Sequence, residues 1–309
     1  MSGCVGVISA QATWTKQTSS GMGTWYGVSS SANGSVLAAA RYNGYVYTSS
    51  DSGATWALQA GSGNRAFLST ASSSDGTKIV AADNSSSLMR SSDSGVTWAR
   101  MNGAGTSSWV GVTSSADGTH LAATDSILGD TVHISSDSGA TWTAVPGIST
   151  AGIQFDGITS SADGTKITAA MYNGGIWSSK DSGATWSRSS APTKGWERVS
   201  MSSDGMTLVA TADTDYIYTS TDGGTTWTAV TSLGKTNWYG TGVSSDGTRM
   251  VASQANGTGG IFVSTDSGAT WTKQSGLPTG VYIAAAISGD GKTVIAGLYN
   301  DYMYTGKLG

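Results

Sequence analysis

The chain has one cysteine, Cys4, three prolines, two histidines and one glutamate among its 309 residues. A lone cysteine excludes an internal disulfide and a cysteine-built zinc site. His120 and His133 have no partner histidine or cysteine at ligand spacing, which argues against a catalytic zinc and against a Ser-His-Asp triad. Charged residues make up only 12% of the chain, and its net charge of −4 offers no basic face to nucleic acid. No apolar run approaches the roughly 18 residues of a membrane-spanning helix, so no membrane association is expected. The opening Met1-Ser2-Gly3-Cys4 lacks a basic segment leading into an apolar core, so a secretory signal is expected to be absent or already removed. No glycine-rich phosphate loop is present, and neither a cofactor nor a metal is expected.

Glycine, by contrast, occurs 44 times. It does not signal disorder, because apolar and aromatic residues recur around it at regular spacing. The most regular stretch is Ser49-Ser50-Asp51-Ser52-Gly53-Ala54-Thr55-Trp56. Near-copies begin at Ser91, Ser135, Ser179, Ser220 and Ser264, at intervals of 42, 44, 44, 41 and 44 residues. A period of that length marks a repeat architecture. Each octet follows a short alternating strand, such as Tyr45-Val46-Tyr47, and its Trp opens another, so the octet reads as a hairpin turn. The aspartates at 51, 93, 137, 181, 222 and 266 (Asp51, Asp93, Asp137, Asp181, Asp222, Asp266) can accept backbone N–H groups of their own turns. One carboxylate per turn is too few for calcium, which takes six to eight oxygens.

Aligned on the octets, each unit carries four strands in about 43 residues, the size of a propeller blade. A second turn, resembling Ser-Ala-Asp-Gly-Thr, sits at Asn33, Asp75, Asp117, Asp163, Asp204, Asp246 and Asp290. The expected fold is therefore all-β: one seven-bladed β-propeller of four-stranded antiparallel blades. The blades fall at about 19–60, 61–102, 103–146, 147–190, 191–231, 232–275 and 276–309. The seventh unit lacks an octet, but Ala12-Thr13-Trp14-Thr15-Lys16-Gln17 matches Ala269-Thr270-Trp271-Thr272-Lys273-Gln274. Residues 1–18 are thus expected to supply the last blade's fourth strand and to close the ring, removing open sheet edges.

The Ser-x-Asp-x-Gly-x-Thr-Trp turn between third and fourth strands resembles the Asp-box, or BNR, repeat family. That family includes sialidases, xyloglucan-degrading glycosidases, sortilin-type receptors and photosystem assembly factors. The resemblance spans nearly the whole chain and implies an Asp-box on the periphery, away from any active site. It does not choose a function. The family's sialidases carry a Phe-Arg-Ile-Pro segment, three arginines, a Tyr–Glu pair and an Asp acid/base. The segment is missing here, and only Arg41, Arg65 and Arg198 of seven arginines fall on the expected ligand face. Those scattered arginines also do not gather into the basic patch of the photosystem assembly factors.

In a propeller, loops entering the first strand and joining second to third share the face on which ligands most often bind. Eight residues before each second turn stands an aromatic: Trp25, Phe67, Trp109, Phe155, Trp196, Trp238 or Tyr282. These rings either form a collar that stacks on sugars or pack between converging blades. The next residue varies: Tyr26, Leu68, Val110, Asp156, Glu197, Tyr239, Ile283. Glu197, followed by Arg198, is the strongest candidate for a functional acid, and Asp156 holds the equivalent place one blade earlier. Two carboxylates can serve glycoside hydrolysis if their separation suits it; the alternative is a pair of solvated rim charges. Loops between second and third strands add Arg41-Tyr42-Asn43, Asp83-Asn84, Asp125 to Asp130, Tyr172-Asn173, Asp213-Thr214-Asp215 and Tyr299-Asn300-Asp301. Their side chains suit carbohydrate hydroxyls and faces, and are also ordinary turn formers.

The leading expectation is a carbohydrate-binding, lectin-like, non-catalytic propeller, extracellular or at the cell surface, that takes a carbohydrate or small-molecule ligand. One alternative is an Asp-box glycoside hydrolase or polysaccharide lyase with Glu197 and Asp156 as its acids. The other is a protein-interaction scaffold with a protein partner.

Overall fold

The computed structural model describes residues 10–126, 131–145, 148 and 154–309. Cys4, Asp130 and the expected blade start at 147 lie outside the described residues. Among the described residues the regular structure is antiparallel β-strand, apart from four three-residue 3₁₀ turns. No helix there is long and apolar enough to cross a membrane.

The strands pair in meanders of four. The first runs Trp25–Ser30, Leu37–Gly44, Val46–Ser49, Ala57–Gln59, each strand paired with the next. Its octet forms the turn between the third and fourth strands. There Ser49 Oγ donates to Asp51 Oδ1 at 2.7 Å and accepts the Gly53 N–H at 2.8 Å. Thr55 gives its N–H to Asp51 Oδ1 at 2.9 Å and its hydroxyl to Oδ2 at 2.6 Å. Gly53 holds a φ of 88°, which a side chain resists. The same bonds recur at Ser91/Asp93, Ser135/Asp137, Ser179/Asp181, Ser220/Asp222 and Ser264/Asp266. Each of these turn carboxylates is thus spent on the serine and threonine of its own turn.

The strand Thr13–Gln17 pairs with Met303–Lys307, the last strand of the chain, in the register Thr13↔Lys307 to Gln17↔Met303. Gln17 Nε2 donates to Thr305 Oγ1 at 2.6 Å, a buried cross-strand bond. Gln274 holds the strand's entry, giving Nε2 to the Ala10 carbonyl at 2.6 Å and accepting the Ala12 N–H at 2.8 Å.

Around the axis the second turns are tied to one another by main-chain bonds. The N–H of Ala32 donates to Ser74 O, Ser74 to Ala116 O, Ala116 to Ala162 O, and Ala162 to Ser203 O. Ser203 continues to Ser245 O and Ser245 to Gly289 O, and the N–H of Asp290 returns to Ala32 O. The chain of donors closes on itself.

Two expectations about loops change. Arg41-Tyr42-Asn43 and Tyr172-Asn173 lie inside the eight-residue strands Leu37–Gly44 and Ile167–Gly174. Both strands run on past their own meander to pair with the next first strand, at Tyr42↔Ala66 and Tyr172↔Gly195, which merges neighbouring sheets. Asn43, Asn173 and Asn300 have φ of 51°, 55° and 53°. Asparagine enters that left-handed region more readily than most residues, so the recurring Tyr-Asn is turn chemistry first.

Candidate functional site

The seven aromatics ahead of the second turns, Trp25, Phe67, Trp109, Phe155, Trp196, Trp238 and Tyr282, are all 0% exposed. The rings are core. Trp25, Trp109, Trp196 and Trp238, expected as ligand contacts, offer no ring face to a ligand. They sit between converging sheets, and each meets a third-strand ring nearly edge-on: Tyr47 at 5.1 Å, His133 at 5.0 Å, Tyr218 at 5.0 Å and Phe262 at 5.1 Å. His133 therefore occupies an aromatic packing place. Its Nε2 lies 2.9 Å from Oδ2 of the fully buried Asp125, a pair that ligand spacing in sequence gave no reason to expect.

The residue after each aromatic behaves differently. Among the described residues, each first strand that carries one of these aromatics shifts its pairing register right there, between Trp25 and Gly27, Phe67 and Ser69, Trp109 and Gly111, Phe155 and Gly157, Trp196 and Arg198, Trp238 and Thr241, and Tyr282 and Ala284. A β-bulge leaves its extra residue unpaired and re-aims that side chain. Here six bulges carry one such residue each: Tyr26, Leu68, Val110, Asp156, Glu197 and Ile283. The wider shift in the sixth takes in Tyr239. Tyr26, Leu68, Val110, Asp156 and Tyr239, with Tyr42 and Arg198, line a cavity of about 350 Å³ at the channel mouth.

The mouth has two unlike sectors. One is aromatic: the Tyr26 ring lies 5.6 Å from Tyr42 and 6.4 Å from Tyr239. Tyr42 and Tyr299 are among the few large apolar side chains that are exposed. The other sector is acidic. Burial pushes the Glu197 carboxyl up to about 7; Arg198 opposes that shift, while Asp156 and Asp213 add to it. Burial likewise raises Asp156, whose Oδ1 accepts Gln154 Nε2 at 2.6 Å. Tyr172, raised first by burial and then by Asp213, Glu197 and Asp156, belongs to the same group. Arg198 stands between the sectors. Its Nη1 donates to the Asp156 carbonyl at 2.8 Å and the Glu197 carbonyl at 3.0 Å, and its guanidinium lies 4.8 Å over the Tyr239 ring. The guanidinium is bound by main-chain oxygens and an aromatic face, and it forms no ion pair with either carboxylate among the described residues.

Glu197 and Asp156 thus share one electrostatic environment. Asp215 does not join them: it is buried and salt-bridged to Lys194 and Lys235, so it is not free for a cation or a ligand. A buried carboxylate needs paired charge, and the two lysines supply it. Arg65 is likewise tied to Asp83 at 3.2 Å. Arg41 is half-buried, with its stem lying across Gly23 and Gly44. Asn300 accepts the Thr24 hydroxyl at 2.6 Å, while Asn43 and Asn173 are exposed at strand tips. Asn84 and Ser126 also line the cavity, and Gln154 joins them without any motif to announce it. Among the described residues no three His, Cys, Asp or Glu side chains stand close enough to hold a metal ion.

No protein-family model and no curated protein matches the chain. Solved structures do, at low identity. YCF48 from Cyanidioschyzon merolae is 14% identical over 95% of this chain and 98% of that one, with a TM-score of 0.72. YCF48 bound to D1 peptide is 12% identical over 96% and 97%, at 0.71. The GH74 xyloglucanase from Xanthomonas campestris is 16% identical over 96% of this chain and 54% of that one, at 0.72. The RRP9 WD40 repeats are 12% identical over 98% and 100%, at 0.76. The common element is the fold: this chain has the all-β architecture of a β-propeller.

Proposed function

We propose that the chain is a seven-bladed Asp-box propeller, divided at the blade boundaries expected from its repeats, that acts as a protein-interaction scaffold. The closed cycle of main-chain bonds, one step for each second turn, supports the blade count. The bonds of the octets support the Asp-box reading. The partner supplies an extended peptide segment that enters the channel mouth. The observation that carries this reading is the bulge ring, five of whose side chains, Tyr26, Leu68, Val110, Asp156 and Tyr239, line one 350 Å³ cavity. Concave sites with a few convergent polar groups are where ligands bind. Similarity in fold to YCF48 bound to D1 peptide adds a precedent for a peptide on this architecture.

A second reading keeps carbohydrate as the ligand. It is favoured by exposed Tyr42 and Tyr299, and, for cleavage, by a Glu197 carboxyl held near 7 beside Asp156. Parallel binding of the purified protein to a peptide array and a glycan array separates the two. The expected result is retained peptide binding that soluble sugars do not compete and that Tyr26→Ala abolishes. Binding confined to glycans, or loss of glycan signal through turnover, overturns the scaffold reading.

A further inference from the structure

The acidic sector has carboxylate oxygens that no side chain among the described residues pairs, although Arg198 acts on both Glu197 and Asp156 from nearby. Glu197 forms no hydrogen bond or ion pair through its carboxylate among the described residues, although it is half-buried. Arg198, the nearest cation, is spent on two carbonyl oxygens and on Tyr239. Asp156 keeps one oxygen for Gln154, and its other oxygen has no partner among the described residues. Asp213 stands beside Tyr172 across Gly195, where a side chain on that glycine would meet the Tyr172 ring at 3.3 Å and Asp213 Cβ at 3.6 Å. A half-buried carboxylate without a partner is costly, and an arriving cation relieves that cost.

The spacing of the acids selects the kind of cation. Asp156 and Asp213 both act on Glu197, yet among the described residues the three are not close enough to coordinate a single metal ion. A metal ion wants its oxygens at 2–2.6 Å from one centre. An organic cation is larger, spreads its N–H donors, and is also stabilised by aromatic faces such as Tyr172. Resting on the peptide-binding reading above, we infer that the acidic sector receives a lysine or arginine side chain of the bound segment, held among Asp156, Glu197 and Asp213 with Tyr172 at its flank. The aromatic sector of Tyr26, Tyr42 and Tyr239 then faces the neighbouring part of the same segment.

The groups facing Glu197 are Arg198, Asp156, Asp213, Tyr172, Tyr26 and Tyr239, and burial holds the Glu197 carboxyl itself at about 7. Ionised Glu197 attracts the cation and protonated Glu197 does not, so affinity rises as pH rises through about 7.

Fluorescence anisotropy tests the inference with four labelled peptide mixtures. Each is a random nonapeptide pool with a fixed centre: arginine, its neutral isostere citrulline, lysine or norleucine. The expected result is that the arginine and lysine pools bind about tenfold or more tighter than their neutral partners, the scale for truncating a desolvated charge pair. In Glu197→Gln, and in a second variant Asp156→Asn, that discrimination collapses while the melting temperature confirms folding. Equal binding of charged and neutral pools overturns the cation inference and leaves peptide binding standing. Failure of all four pools, alongside an array that captures no peptide, removes the underlying reading instead.

Discussion

Ser49 performs two tasks at one atom: its Oγ donates to Asp51 and accepts the buried N–H of Gly53. Removing it leaves that N–H unbonded. Ser49→Ala is therefore expected to cost about 1–3 kcal/mol, measured by urea denaturation, with Ser50→Ala next to it as a neutral control. The aspartates of these turns respond to acid. Thr55 and Ser49 hold the Asp51 carboxyl at about 2, below its ordinary 3.8, and Thr141 and Ser135 do the same for Asp137. A depressed folded-state value stabilises the fold above the ordinary one, and that contribution is lost as pH falls through the depressed one. The melting temperature should fall progressively between about pH 4 and pH 2; a flat profile would refute the role given to these carboxylates. Such turns were legible in sequence because donor, acceptor and glycine lie within five residues of one another. His133 was not: its neighbours Asp125 and Trp109 lie 8 and 24 residues earlier, and only strand register brings them together. Asp215 misled for the same reason, since Lys194 and Lys235 reach it from 21 residues before and 20 after.

At the scale of the strand, Thr13–Gln17 covers an edge that would otherwise lie open on Met303–Lys307. Open edges template association. A chain starting at residue 18 is expected to melt lower and to elute as larger species in size-exclusion chromatography, and a synthetic peptide of residues 10–17 should reverse both effects. Unchanged elution and melting would show that this strand does not close the fold. Its partner could be found from sequence because Ala12–Gln17 and Ala269–Gln274 are the same six residues. The bulges could not. They depend on how the first strand of each meander meets the second near the axis, where Gly157 and Gly240 run so close to the next sheet that an added Cβ would lie 2.9 Å from Arg198 Cα and 2.4 Å from Ala285 N. The regular aromatic spacing was visible in sequence, but with two readings, and burial decided between them.

For the whole molecule, the returning bond from Asp290 to Ala32 means that no junction between neighbouring second turns is left as an end. Thr13 also stands opposite Lys307, so the described ends of the chain are neighbours. Joining residues 10 and 309 by a short glycine-serine linker and opening the chain between residues 102 and 103 should preserve the circular dichroism spectrum and cooperative melting. A permutant that stays unfolded would show that the ring depends on where the chain begins. Closure also separates the two jobs of the sequence. The buried aromatics and the turn bonds repeat from sheet to sheet and build the frame, whereas the side chain released at each bulge answers to no partner strand. Read in order around the mouth, those side chains spell Tyr, Leu, Val, Asp, Glu, Tyr, Ile. The frame is grammar and that line is vocabulary: on the interaction reading proposed above, a different word, written at the same seven places, would address the molecule to a different recipient without rebuilding the machine that displays it.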